Sequence, residues 1–221
     1  MLTFKINELK QKIMEMASLV EKMATLSFQG VETGSHSRFK QVMEYEGKVN
    51  QLETEIDELC IMLIALHHPE AKDLRLILMI YRINNDLERL ADQAVNIAES
   101  SSMLAGNPII EQVPELVNMK NAALKMLADS IMAYTNEDTA RARLVCKQDE
   151  IVDSYNRHIT ALLIHLMKES PLQIEYYLHV LRIAKNLERI ADLSTNIGEN
   201  TIYLTQGRVI KHHQEEANPE L

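Results

Sequence analysis

The chain has 221 residues, of which 46% are hydrophobic, and a formal net charge of −9 at neutral pH. Twelve methionines, no tryptophan and only six glycines and five prolines favour helices over sheets. An acidic chain without a long basic run argues against a nucleic-acid partner held through its phosphates. The length is enough for a packed core and predicts one or two domains.

Cysteine usage and hydropathy predict a cytoplasmic protein. Cys60 and Cys146 stand alone, without a CxxC motif, and no secretory leader is visible. Isolated cysteines of this kind are typical of reduced, buried core residues. The longest apolar run, around residues 60–66, is far shorter than the roughly 18 residues that span a bilayer. We therefore expect a soluble or at most peripheral protein.

The first half of the chain predicts three helices. Apolar residues at alternating steps of three and four make Leu2–Phe28 an amphipathic helix. A second helix is predicted from Ser37 to Leu66, although Gly47 in its interior costs about 1 kcal/mol relative to Ala. The His-His-Pro sequence at 67–69 precedes a third helix. That helix should end near Gly106, because a left-handed glycine followed by Asn-Pro prevents continuation.

The second half predicts three more helices. The fourth should begin at Pro114, a residue that the first helical turn tolerates. Thr135 or Asn136, followed by two acids, is typical of the N-cap of a fifth helix that runs to about Lys168.

The sixth helix is predicted from local capping signals at both ends. The sequence Ser170-Pro-Leu-Gln resembles a capping box, and Gly207 can supply the cap at the carboxyl end. The predicted fold is all-α, with two tandem three-helix bundles at 1–106 and 107–207. A flexible acidic tail is expected at 208–221, which lacks apolar periodicity.

An internal repeat supports the division into two similar bundles. The segment Arg82–Glu99 recurs as Arg182–Glu199, with ten of eighteen positions identical at an offset of 100 residues. On a helix, the shared acids and asparagine of each copy lie on one side, within an arc of roughly 80°. Carboxylates placed together in this way need a cationic partner, because like charges at i and i+4 repel.

Matching polar pairs on the second and fifth helices can complete one oxygen-rich cluster in each bundle. The candidate metal-binding residues are Glu46, Asn50, Glu88 and Asp92 in the first bundle, and Asp149, Asp153, Glu188 and Asp192 in the second. Oxygen donors suit hard cations, and the absence of Cys or His at these positions disfavours thiolate and imidazole-rich sites. The alternative is that these acids form ion pairs with the arginines of the repeat, Arg82, Arg89, Arg182 and Arg189.

Several segments together resemble the PhoU family of phosphate-signalling regulators. They are LERLADQAVNIAE and LERIADLSTNIGE in the repeat, HPEAKDLRLIL from His68, VDSYN from Val152 and TIYLTQG from Thr201. The resemblance covers the chain from the first helix to about Gly207. It implies two three-helix bundles, each with acidic motifs that hold iron, zinc or other divalent ions. It also implies that Asn50, which replaces an acid of many family members, weakens the first site.

The resemblance further implies a role and partners. Family members connect the ATPase of a phosphate ABC transporter with a membrane sensor histidine kinase, and they repress the phosphate-starvation response when phosphate is plentiful. They are not known as enzymes and often form homodimers. By the same resemblance, Asp73 and Arg75 in the DLR sequence are expected to face outward on a partner-binding or interhelix surface.

Two other functions are compatible with a helical bundle. A ferritin-like, carboxylate-bridged metal oxidase would need a Glu-x-x-His motif, and none of the eight histidines has Glu three positions before it. A structural oligomeriser would use the acids only for ion pairs and would bind no metal.

Overall fold

The computed structural model describes residues 2–33 and 36–207, and the tail predicted at 208–221 lies outside them. Six long helices occupy this part of the chain, and it contains no strand. The helices are α1 Leu2–Thr33, α2 His36–His67, α3 Ala71–Met103, α4 Glu115–Asn136, α5 Thr139–Glu169 and α6 Ile174–Gln206, with short 3-10 turns at Pro108–Gln112 and Pro171–Gln173. The predicted all-α fold of two three-helix bundles is confirmed.

The apolar residues that recur with helical periodicity in the sequence are the residues that form the core. In α2, Val42, Val49, Ile56 and Leu63 recur every seven residues, and all four are completely buried. This seven-residue stripe faces α1 and α3, which both pack along α2. In α1 the stripe has alternating steps of three and four residues, as expected.

Helices α3 and α6, which carry the internal repeat, form the centre of the molecule. The first packs against α1 and α2, the second packs against α4 and α5, and the two pack against each other. Small residues allow close approach: a Cβ added at Gly198 would lie 3.2 Å from the carbonyl oxygen of Ala142 on α5. Each central helix therefore belongs to its own bundle and to the contact between bundles.

Helix ends were predicted less well than helix interiors. Asn136 is still helical, Glu137 adopts a left-handed conformation with φ +51°, and the N-cap of α5 is Asp138. The Asp138 side chain accepts a hydrogen bond from the backbone N–H of Arg141 at 3.0 Å. The prediction of Thr135 or Asn136 as this cap was therefore wrong.

The predicted capping box at Ser170 was also wrong. The Ser170 side chain makes no capping hydrogen bond, the next three residues form a 3-10 turn, and α6 begins at Ile174. The predicted left-handed glycines are present. Gly106 and Gly207 both adopt left-handed conformations, with φ of +75° and +68°. Gly207 caps α6, whereas Gly106 lies in the turn that follows the end of α3.

No helix in the described ranges is both long enough and apolar enough to cross a membrane.

Candidate functional site

The eight candidate metal-binding residues lie on two pairs of adjacent helices. Those of the first bundle belong to α2 and α3, and those of the second belong to α5 and α6. Within each bundle the two helices pack against each other. Glu88 and Glu188 are half-buried beside the core, whereas Asp92 and Asp192 are exposed.

Carboxylates of the first bundle are close enough for the charge of Asp92 to raise the pKa of both Glu88 and Glu53. Burial raises the pKa of Glu88, and the negative charges of Asp92 and Glu53 raise it further. Glu46 contributes in the same direction but less. The pKa of Glu53 is likewise raised, first by burial and then by Asp57 and Asp92. We call Glu46, Glu53, Glu88 and Asp92 the first acidic cluster.

Glu53 is the member of this cluster that the sequence analysis missed. It follows Asn50 by three residues and Glu46 by seven, so all three lie on the same side of α2. Glu53 also stands four residues before Asp57, so the sequence contained an i and i+4 acidic pair that pointed to it, as did the seven-residue period of α2. Because Glu53 supplies the negative charge that Asn50 lacks, counting charges gives no reason to expect a weaker first site.

The second acidic cluster consists of Asp149, Asp153, Glu188 and Asp192. Although Asp192 is exposed, partial desolvation beside the core raises the pKa of its carboxyl group, followed by the negative charges of Glu188 and Asp153. Glu188 already has two donors, Lys185 Nζ and Asn156 Nδ2, the latter at 3.1 Å from Glu188 Oε1. This cluster is therefore partly neutralised by its own neighbours.

Helices α2 and α5 carry one acid and one amide at corresponding positions, but in opposite order. The same separation in sequence relates Asn50 to Asp153 and Glu53 to Asn156. In the first bundle the amide comes first and the acid one turn later, and in the second bundle the order is reversed. Each cluster thus contains four carboxylates.

The side chains of the two acidic clusters are of the type that binds cations, but they are not arranged around a common point. Among the residues that the structure describes, no three Asp, Glu, His or Cys side chains converge closely enough to hold a metal ion. The donors of the two clusters are all carboxylate oxygens, which suit hard cations. Burial, and after it the charge of neighbouring acids, raises the pKa of Glu88 and of Asp192. A bound cation would require the exposed carboxylates to rotate inward.

The arginines of the repeat act on these acids without direct ion pairs: Arg89 lowers the pKa of Glu88 and Arg189 that of Asp192, but burial and neighbouring acids raise both more. Over 2–33 and 36–207, neither Arg89 nor Arg189 forms an ion pair within 4.0 Å. Arg182 is committed elsewhere: its Nη2 donates to Asn96 Oδ1 at 2.6 Å and to Glu99 Oε2 at 2.8 Å, across the contact between α6 and α3.

Arg75 is part of an interhelix contact. Its guanidinium carbon lies 5.8 Å from the centre of the Tyr203 ring, and its Nη1 lies 2.9 Å from where a Cβ on Gly207 would be. A cation is favourable there, because the carboxyl end of α6 has partial negative charge. Asp73 is half-buried in the first turn of α3, where an acid is favourable for the opposite reason.

A buried carboxyl group between α3 and α6 was not predicted. Asp86 is only 8% exposed, and burial raises its pKa to about 6, although Arg89, a hydrogen bond from Asn196 and Arg82 act in the opposite direction. Its counterpart in the second copy of the repeat is the uncharged Asn186. This mismatch was the one sequence signal that could have drawn attention to Asp86.

Comparison with known proteins agrees with the two-bundle architecture. A family model of the PhoU domain matches residues 13–101 and again 116–201. The phosphate-specific transport system accessory protein PhoU homolog of Aquifex aeolicus is 33% identical over 207 residues, which cover 94% of each chain. The corresponding protein of Clostridium acetobutylicum is 34% identical over 206 residues, covering 93% of this chain and 94% of that one.

Solved structures show the same fold. The crystal structure of PhoU from Pseudomonas aeruginosa has a TM-score of 0.88 at 28% identity, with 94% of this chain and 100% of that chain covered. The phosphate transport system regulatory protein PhoU from Streptococcus pneumoniae has a TM-score of 0.86 at 28% identity, covering 96% and 100%.

The fold and the two acidic clusters define an all-α protein made of two repeated three-helix bundles joined through their central helices. With the domain model matched in both halves and relatives above 30% identity over nearly the whole chain, the chain belongs to the PhoU family. The resemblance noted in the sequence is thereby confirmed.

Proposed function

We propose that this protein is a non-enzymatic regulator of phosphate uptake and of the phosphate-starvation response. The observation that carries the proposal is the match to the PhoU domain in both halves of the chain. Relatives from several bacteria are named as accessory proteins of phosphate-specific transport, and the relative from Streptococcus pneumoniae is described as a phosphate transport system regulatory protein.

In the finer form of the proposal, the protein is cytoplasmic and couples the ATPase of a phosphate ABC transporter to a sensor histidine kinase. Two partners require two surfaces, and a molecule of two similar bundles offers two related ones. Arg75 and Asp73, at the beginning of α3, are our candidates for contact residues on one of them. Homodimerisation is part of the same proposal, supported by large exposed apolar side chains such as Leu172 and Leu66.

The test of this function is a phosphate-repressed reporter gene in the source organism. Deletion of the gene should leave the reporter active at high phosphate, and the wild-type gene should restore repression. Co-purification at high phosphate should recover the transporter ATPase or the kinase. A deletion strain that represses the reporter normally would overturn the proposal.

The proposal includes a metal ion on each acidic cluster, with iron or zinc as the expected identity. Support comes from the grouping of four carboxylates on adjacent helices and from the neighbouring acids that, after burial, raise the pKa of Glu88 and of Asp192. A divalent or trivalent cation would offset that repulsion and fix α2 against α3 and α5 against α6. Metal occupancy would then stabilise the surfaces that the partners contact.

A further inference from the structure

A groove between the two central helices contains the buried carboxyl group of Asp86. Its volume is about 450 Å³, which is within the range typical of small-molecule sites. Its lining residues include Tyr81, Arg82 and Asp86 on α3 and Asn196, Glu199 and Asn200 on α6. None of the residues that line the groove belongs to either acidic cluster. A ligand in this groove therefore does not compete with a metal ion for the carboxylates of those clusters.

The repeat provides an equivalent surface, and that surface is closed. There Arg182 donates hydrogen bonds to an asparagine and a glutamate of α3, Asn96 and Glu99. Its counterpart Arg82 is exposed and makes no hydrogen bond or ion pair with any residue that the structure describes. The groove beside Arg82 therefore stays open, with a guanidinium group available to a ligand.

Asp86 has hydrogen-bond donors but no cation in contact with it. Over residues 2–33 and 36–207 it forms no ion pair, and its donors are the amides of Asn196 and of Asn200, whose Nδ2 lies 3.5 Å from Asp86 Oδ2. A carboxylate accepts about four hydrogen bonds, so acceptor capacity remains. The equivalent residue in the second copy of the repeat is the uncharged Asn186, and the fold therefore does not require a carboxylate here.

The remaining acceptors of Asp86 suit a ligand with two adjacent N–H donors, because such a pair binds a carboxylate in parallel. Guanine presents this pair, N1–H and the 2-amino group, on its Watson–Crick edge. Adenine and cytosine place a lone pair beside a single donor, and uracil has one donor between two carbonyl groups, so a carboxylate repels part of each edge. An arginine side chain also has paired donors, but it is a second cation that Arg82 would repel.

We propose that this groove binds a guanine base, with Asp86 accepting hydrogen bonds from N1–H and the 2-amino group and the ring of Tyr81 stacked on the base. Tyr81 is 43% exposed, so its ring is accessible for stacking, which binds bases of every type. A phosphate on the ligand would be attracted by Arg82 and repelled by Glu199. The ligand is therefore a guanine nucleoside or nucleotide, and this inference goes beyond the proposed function, which does not depend on it.

Equilibrium dialysis of the full chain with its metal, at constant ionic strength, tests the inference. GMP, guanosine, AMP and N-acetyl-arginine amide are the four ligands. GMP should bind at least about tenfold more tightly than AMP, which carries the same phosphate. Tighter binding of GMP than of guanosine would identify a nucleotide as the ligand, and equal binding would identify the nucleoside.

Three results of this experiment would overturn the inference. The first is no binding of either guanine ligand at millimolar concentration. The second is equal affinity for GMP and AMP, which would show that the phosphate alone is bound. The third is binding of N-acetyl-arginine amide as tight as that of guanosine, which would assign the groove to an arginine side chain of a partner.

Asp86→Asn connects the binding to the carboxylate and should reverse the choice of base. Xanthine keeps N1–H but has a carbonyl oxygen in place of the 2-amino group, so asparagine can accept from N1–H and donate to that oxygen. The variant should bind GMP about a hundredfold more weakly and xanthosine 5′-monophosphate more tightly than the wild-type protein does.

Asp129→Asn is the matched control, since it removes the same charge from a residue outside the groove that pairs with Lys125 and Arg141. It should leave the preference for GMP unchanged. A folded Asp86→Asn variant, checked by circular dichroism, that keeps the wild-type preference would contradict the assignment. These binding outcomes are separate from the reporter assay, because loss of guanine binding leaves the proposed function intact and failure of the reporter assay leaves the binding intact.

Discussion

Among single residues, the acids that lie close to the core have the largest influence on the site and on stability. Glu53 and Asp86 were both absent from the sequence-based assignment. Glu53 could have been found from its spacing to Glu46 and Asp57 along α2. Asp86 could not, because its burial depends on the packing of α3 against α6, which spacing along one helix does not contain.

Asp86 makes stability depend on pH. Its pKa rises from the ordinary 3.8 to about 6 on folding, so between these values the folded state holds a proton that the unfolded state has lost. Stability contributed by this group is fully present below pH 3.8 and is lost as the pH rises to about 6. Above that pH, the ionised Asp86 lowers the free energy of unfolding by up to about 3 kcal/mol.

Asp86→Asn, which copies Asn186 of the second half, should therefore stabilise the protein above pH 6 and have little effect below pH 4. The measurement is urea unfolding of both proteins from pH 4 to 8. The difference in free energy of unfolding should grow with pH to about 1–3 kcal/mol. A difference that is constant with pH would contradict the assignment of the raised pKa to Asp86.

At the scale of elements, helix interiors follow from the sequence and helix ends do not. The apolar period of α1 and α2 identified their buried faces, because that period is a property of the helix itself. The N-cap of α5 and the start of α6 depended on which of several polar residues reached a free N–H group. Alternative capping residues differ in their contribution to helix stability by only about 1 kcal/mol, so spacing in the sequence does not decide between them.

Asp138→Ala tests the cap that the structure has. Loss of the hydrogen bond to the Arg141 N–H should lower the free energy of unfolding by about 1 kcal/mol. Ser170→Ala should change it by much less, since the Ser170 side chain makes no capping bond. Both are measured by thermal or urea unfolding, and an equal loss in the two variants would show that the caps were assigned incorrectly.

Gly47 offers a stabilising change within α2. A Cβ at this position meets no atom within 4 Å, and the backbone is helical, so Gly47→Ala should add up to about 1 kcal/mol. Gly106→Ala is the control and should destabilise, because the left-handed φ of +75° suits glycine. The prediction fails if Gly47→Ala lowers the unfolding midpoint.

At the scale of the whole molecule, the repeat explains why one architecture recurs twice and why its copies differ. The all-α fold and the two bundles could be predicted, since ten identical positions at a constant offset indicate duplicated structure. The pairing of α3 with α6 could not, because the apolar faces of all six helices look alike in sequence. That pairing creates the groove that contains Asp86.

We propose that each bundle binds a cation through its four carboxylates. The most direct test is elemental analysis of protein purified without chelator or affinity-tag metal, beside two double variants, Glu88→Ala with Asp92→Ala and Glu188→Ala with Asp192→Ala. We predict iron or zinc in the wild-type protein and a comparable loss from each variant, because Glu53 replaces the charge missing at Asn50. Well-folded wild-type protein free of metal would contradict the claim.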